Sequence, residues 1–186
     1  DIEAHAAYVM DADTGDELYA KNADDLAYPG STTKIMTAIL GIELGKSQNL
    51  MDKPLNITND IYDIESDASV LGIKPGDQIT LSNGMTGMML VSGCDAAVAV
   101  AETVTPTESD FVAKMNEKAA ALGASHTHFA NPHGLPDTNH YSTARDMAVI
   151  AAYGMKIPEF QDMVSRSEFD MPYMDGGFKH CTSTNE

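Results

Sequence analysis

The sequence predicts an α/β domain with an antiparallel sheet flanked by helices. Three observations point there: short apolar runs around Gly- and Asp-containing turns near both chain ends, apolar residues at helical spacing between them, and no repeat or linker dividing the chain. The expected sheet draws its strands from both ends, and residues 1–186 are read as one domain.

Ala6–Met10 and Glu17–Ala20 flank the turn at 11–16 and read as a hairpin. Ser31 to Leu44 is an amphipathic helix that Gly45 is expected to end. Residues 46–84 are punctuated by Pro54 and Asn59, and Gly72–Asp77 reads as a turn before a strand-like Gln78–Leu81. Met85 to Val104 is apolar except at Ser92-Gly93-Cys94-Asp95, which predicts two helices with Asp95 capping the second. A further helix spans about Glu108 to Leu122, stopped by Gly123. A His-, Asn- and Pro-rich loop fills 124–142, and helices follow over 143–153 and 158–164. Phe169–Tyr173 and Phe178-Lys179 surround Asp175-Gly176-Gly177 as a second hairpin.

A net charge of −17 argues against nucleic acid and against an anionic membrane surface. No apolar run has the length of a membrane span. The opening Asp1-Ile2-Glu3-Ala4-His5 is not a signal segment, so the chain is expected to be cytoplasmic or already processed. Cys94 and Cys181 are too few for a disulfide framework and read as separate thiols, although sequence leaves open whether they meet. The 12 methionines, without a tryptophan, read as core filler.

The chemistry-bearing motif is Ser31-Thr32-Thr33-Lys34, at the head of the first helix. Residues three apart share a helix face, which puts the Lys34 amine beside the Ser31 hydroxyl. A lysine whose surroundings disfavour its charge can act as the base that activates a serine, and the positive helix end suits a developing oxyanion. The alternative is a capped helix carrying an exposed lysine.

Several segments together carry a family resemblance. Tyr28-Pro29-Gly30-Ser31-Thr32-Thr33-Lys34-Ile35-Met36-Thr37-Ala38 resembles the nucleophile helix of the low-molecular-weight penicillin-binding proteins, the serine D-alanyl-D-alanine peptidases related to class A β-lactamases. Leu90–Ala97 resembles their Ser-x-Asn motif. Phe129–Leu135 with His140–Asp146 resembles their loop-and-helix signature, and the N-terminal hairpin matches as well. The resemblance implies a β-lactamase/DD-peptidase-like fold with a mostly helical subdomain. It makes Ser31 the nucleophile, Lys34 the base and Ser92 the proton relay, with Cys94 lining the substrate site. The implied substrate is a peptidoglycan stem peptide ending in D-Ala-D-Ala, and β-lactam antibiotics would acylate Ser31. It implies an extracytoplasmic location in the bacterial envelope or a secreted protein, with no cofactor, no metal, no nucleic acid and no partner protein.

Two departures qualify this. Cys94 stands where the family usually has asparagine, and a thiol both donates and accepts more weakly than an amide. Ser-Gly-Cys resembles the DD-transpeptidase branch of the family. The Cys94 thiolate is also a candidate nucleophile, second to Ser31, which has its own base. The family's Lys-Thr-Gly strand motif is absent, and the last residues resemble a segment upstream of it. The chain is therefore expected to lack the C-terminal strands, to leave the N-terminal hairpin edge unpaired, and to be poorly active alone.

His126, His128, His133 and His140 lack metal-ligand spacing and are expected to shape their loop. Arg145 and Asp146 are expected in structural ion pairs, and Asp60, Asp63, Glu65 and Asp67 on solvated surface. Two rivals remain. A β-lactamase would carry Ser-Asp-Asn and a separate deacylating glutamate, for which there is no convincing match. A degenerate relative would bind cell-wall peptide without cleaving it. Penicillin labelling separates the three: a lasting adduct for the peptidase, rapid turnover for the lactamase, none for the binder.

Overall fold

The computed structural model describes residues 2–184. Strands β1 (Ala7–Met10) and β2 (Glu17–Lys21) form an antiparallel hairpin with an irregularity between Val9 and Met10. Its turn is held by the Asp11 carboxylate, which accepts from the N–H groups of Asp13 and Thr14. A 3-10 turn, Gly30–Thr32, runs directly into helix α1 (Thr33–Ser47). Helices α2 (Leu81–Val91), α3 (Cys94–Val104), α4 (Glu108–Ala121), α5 (Ala144–Gly154) and α6 (Pro158–Val164) follow. Strands β3 (Glu168–Pro172) and β4 (Phe178–Thr182) close the described chain as a second antiparallel hairpin.

Helix α1 is the axis of the core. Met36, Ala38, Ile39 and Ile42 are all but fully buried, as are Thr33, Lys34 and Thr37, because α2 to α6 surround it. A helix enclosed on every side needs no polar face. Small residues let the neighbours close in. A Cβ on Gly41 would stand 2.5 Å from the Met85 sulfur, and one on Gly45 would stand 2.7 Å from Leu81. Thr80, Thr107 and Thr143 start α2, α4 and α5, their hydroxyls accepting from the N–H groups of Asn83, Asp110 and Asp146.

Five expectations are corrected. Among the described residues the strands make two separate two-stranded sheets, not one sheet fed from both ends, since β1–β2 packs on α5 and β3–β4 on α2. Gly45 does not end α1, because its missing side chain is what seats Leu81 and Met51. Gln78–Leu81 is not a strand: Thr80 pairs once with Pro54 and then caps α2. The cap of α3 is Gly93, and Asp95 lies one residue inside the helix. Cys94 and Cys181 are both buried and free. Arg145 does pair, with Asp24 and Glu17 at 2.7 Å each, tying α5 to the first hairpin. Asp146 instead accepts from the backbone N–H of His126 and the Thr127 hydroxyl.

Candidate active site

The 3-10 turn places Ser31 at the surface and Lys34 one turn further on, inside the core and only 2% exposed. The Lys34 Nζ has three polar neighbours: Ser31 Oγ at 3.1 Å, the His133 carbonyl oxygen at 2.7 Å and Cys94 Sγ at 3.4 Å. Burial pushes the Lys34 pKa below the ordinary lysine value, and Cys94 and Asp95 offset only part of that. A neutral amine has two N–H donors and one lone pair. With the carbonyl and the sulfur taking the two hydrogens, the lone pair is left facing the one neighbour that can donate strongly, the Ser31 hydroxyl.

A loop fixes this amine from above. The His133 carbonyl is aimed by its neighbours: the Pro132 oxygen accepts from Thr37 Oγ1 at 2.6 Å, and Asn131 Oδ1 accepts from the Gly134 N–H at 2.7 Å. Gly134 adopts φ +86°, and a Cβ there would stand 1.9 Å from the Gly30 oxygen, so the loop presses directly on the turn bearing Ser31. His140 anchors the far end. Its Nδ1 accepts from the Ala130 N–H at 2.9 Å, which leaves Nε2 to donate to Thr33 Oγ1 at 2.8 Å. Burial lowers the pKa of His140 and, with Lys34 close by, brings that of His133 down to about 4. Both rings are therefore neutral near pH 7, and the Lys34 amine sits in a pocket short of positive charge.

The second motif is the link between α2 and α3. Ser92 takes the left-handed conformation, φ 57°, which costs a non-glycine residue about 1–2 kcal/mol and is the kind of strain found at functional sites. Cys94 is held at the head of α3 by its N–H to the Ser69 oxygen at 2.8 Å. The buried Asp95 carboxylate accepts from the N–H groups of Leu71, Gly72 and Ile73, at 2.6, 2.7 and 3.1 Å, and so pins that loop to the motif. Thus Ser31, Lys34 and Cys94 are brought into contact. The Ser92 hydroxyl makes no direct hydrogen bond to Ser31 or Lys34 among the described residues.

Three contacts are not legible in the sequence. The His133 carbonyl is a backbone atom and leaves no signal in residue identity. Asp95 reads from sequence as the cap of α3, with nothing to show that its carboxylate pins residues 71–73. His140 is expected from sequence to shape its loop, as its bond to the Ala130 N–H does, but nothing in the residues points to Thr33. Among the described residues no group of three His, Cys, Asp or Glu side chains is placed to hold a metal ion.

Comparison with known proteins decides the family. Residues 1–179 match peptidase family S11, D-alanyl-D-alanine carboxypeptidase. The chain belongs to this family. Among curated S11 relatives, the D-alanyl-D-alanine carboxypeptidase DacF of Bacillus subtilis is 40% identical over 154 residues, covering 80% of this chain and 38% of DacF. DacA of Haemophilus influenzae is 34% identical, covering 90% of this chain and 44% of its own length. The chain thus spans less than half of these two relatives. Among solved structures, the Streptomyces DD-transpeptidase superposes with a TM-score of 0.88 at 33% identity, over 100% of this chain and 75% of that one. Penicillin binding protein 5 of Haemophilus influenzae gives 0.87 at 31% identity, over 98% and 53%. The fold is that of the DD-peptidases, and the S11 assignment accords with the resemblance carried by the sequence motifs.

Proposed function

We propose that this chain carries the acylating centre of a serine D-Ala-D-Ala carboxypeptidase, with residues 1–186 acting as one unit of that enzyme. The observation that carries the reading is the 3.1 Å contact between Ser31 Oγ and a Lys34 amine whose basicity burial lowers. Membership of S11 and the names of the curated relatives support it.

Ser31 Oγ attacks the carbonyl carbon of the penultimate D-alanine while its proton passes to Lys34 Nζ. Collapse of the tetrahedral intermediate breaks the C–N bond, and the departing D-alanine amine takes a proton delivered from Lys34 by the Ser92 hydroxyl. That relay requires Ser92 to turn toward the amine once substrate is bound. Water then hydrolyses the Ser31 ester. Cys94 lines the substrate site and holds one hydrogen of the Lys34 amine. The proton inventory closes without a cofactor. The strained amide of a β-lactam would acylate Ser31 by the same first step. Stem peptides of peptidoglycan lie outside the cytoplasmic membrane, so the location is extracytoplasmic. No helix among the described residues is long and apolar enough to cross a membrane.

A second reading, DD-transpeptidase, is favoured by Ser92-Gly93-Cys94 and by the superposition on the Streptomyces DD-transpeptidase. It differs only in the acceptor, an amine in place of water. Both are tested by incubating the full-length gene product with a pentapeptide ending in D-Ala-D-Ala, with and without an acceptor amine. Release of D-alanine that disappears in Ser31→Ala supports the acylating centre, and partition into the amine adduct selects transfer. Release undiminished in Ser31→Ala refutes both.

A further inference from the structure

Lys34 and Cys94 are two nucleophiles buried against each other, 2% and 3% exposed, with Nζ and Sγ 3.4 Å apart. The peptidase chemistry gives the sulfur no bond to make. Among the described residues its other polar neighbour is distant, the Ser92 oxygen at 4.0 Å. Cys181 is not placed to compete, being buried in β4 with its thiol directed at the Lys179 oxygen, and both thiols are free. A cysteine whose contact partner is a lysine amine kept below its usual basicity has a capture reaction open to it that asparagine, the residue usual in the family, lacks.

We propose that Lys34 and Cys94 form a covalent modification site in which hydrogen peroxide joins Nζ to Sγ as a sulfenamide. The Cys94 sulfur attacks one peroxide oxygen as the thiol proton passes to the leaving oxygen. The O–O bond breaks, one water leaves and the sulfur becomes a sulfenic acid. The Lys34 lone pair then attacks that sulfur, the S–O bond breaks, and hydroxide departs with a proton from the amine as a second water. One thiol, one amine and one peroxide thus give one N–S bond and two waters, with sulfur losing the two electrons that peroxide gains. An external thiol reverses the step by attacking sulfur and releasing the amine, and a second thiol then reduces the mixed disulfide. Peroxide suits the site because so little of the sulfur is exposed. Capture by the adjacent amine stops oxidation before the sulfinic stage. The bond depends only on the observed contact. Its consequence, loss of the lone pair that serves Ser31, rests on the peptidase reading.

The test is peroxide treatment of the full-length gene product, followed by intact mass, peptide mapping and labelling by a fluorescent penicillin. The expected result is a mass lower by two hydrogens, the Lys34 and Cys94 peptides joined, and reversal by dithiothreitol. Penicillin acylation falls by roughly a hundredfold or more, the worth of a general base, and returns with the thiol. Cys181→Ala behaves the same and Cys94→Ser gives no cross-link. Cys94 gaining oxygen while Lys34 stays free, or a thiol that does not react, overturns the proposal. A cross-link that leaves penicillin labelling unchanged upholds the site and refutes Lys34 as the base.

Discussion

Acidification is expected to destabilise the fold through His133, whose carbonyl holds the Lys34 amine. Its ring is buried beside Lys34, so the folded state binds a proton only near pH 4, against the ordinary value of 6.5. Between those values the unfolded chain binds more protons than the folded one, so stability falls as pH falls from 6.5 toward 4. At roughly 1.4 kcal/mol per tenfold difference in proton affinity, the loss at pH 4 is about 3 kcal/mol, a large share of a typical domain's stability. Many carboxylates also titrate in this range, so the assay is differential. Urea unfolding of the protein and of His133→Asn is compared near pH 7 and near pH 4. Asparagine can still accept from the Leu135 N–H, as Nδ1 of His133 does at 3.1 Å, but it takes up no proton. The variant is expected to lose about 3 kcal/mol less than the parent on acidification. Equal losses would refute the claim that His133 is held neutral by burial.

Other outcomes follow from the same geometry. Lys34→Arg installs a permanently charged group that cannot act as base, and penicillin acylation of Ser31 is expected to fall roughly 10²–10⁴-fold, read by stopped-time labelling. In the parent, acylation should rise with pH through the depressed Lys34 pKa, because only the neutral amine can accept the serine proton, and a flat profile would exclude that role. Gly134→Ala forces a left-handed alanine whose Cβ meets the Gly30 oxygen at 1.9 Å, so acylation should drop more steeply than thermal stability. Asp95→Ala strands the N–H groups of Leu71, Gly72 and Ile73, at about 1–3 kcal/mol for each buried donor left unpaired, and limited proteolysis should then cut within 69–73.

Much of this was legible in the residues. The helix spacing of Ser31 and Lys34 foretold their contact, and α6 and both hairpins lie where turn residues and Pro158 put them. What failed did so for tertiary reasons. Gly45 looks like a helix stop, but Leu81 and Met51 fill the space where its side chain would be. Thr80 looks like a strand residue until its hydroxyl is needed by Asn83. The two hairpins could not be assigned to separate sheets from their own sequences, because the helices they pack on decide that. The third neighbour of the Lys34 amine is a carbonyl, and no choice of side chain announces it.

The central claim is that a neutral Lys34 makes Ser31 the residue that reacts. Peptide mapping of the full-length gene product after exposure to a penicillin tests it most directly. A single adduct is expected on Ser31, formed far more slowly in Lys34→Arg. An adduct on Cys94, or none at all on a folded protein, would contradict it.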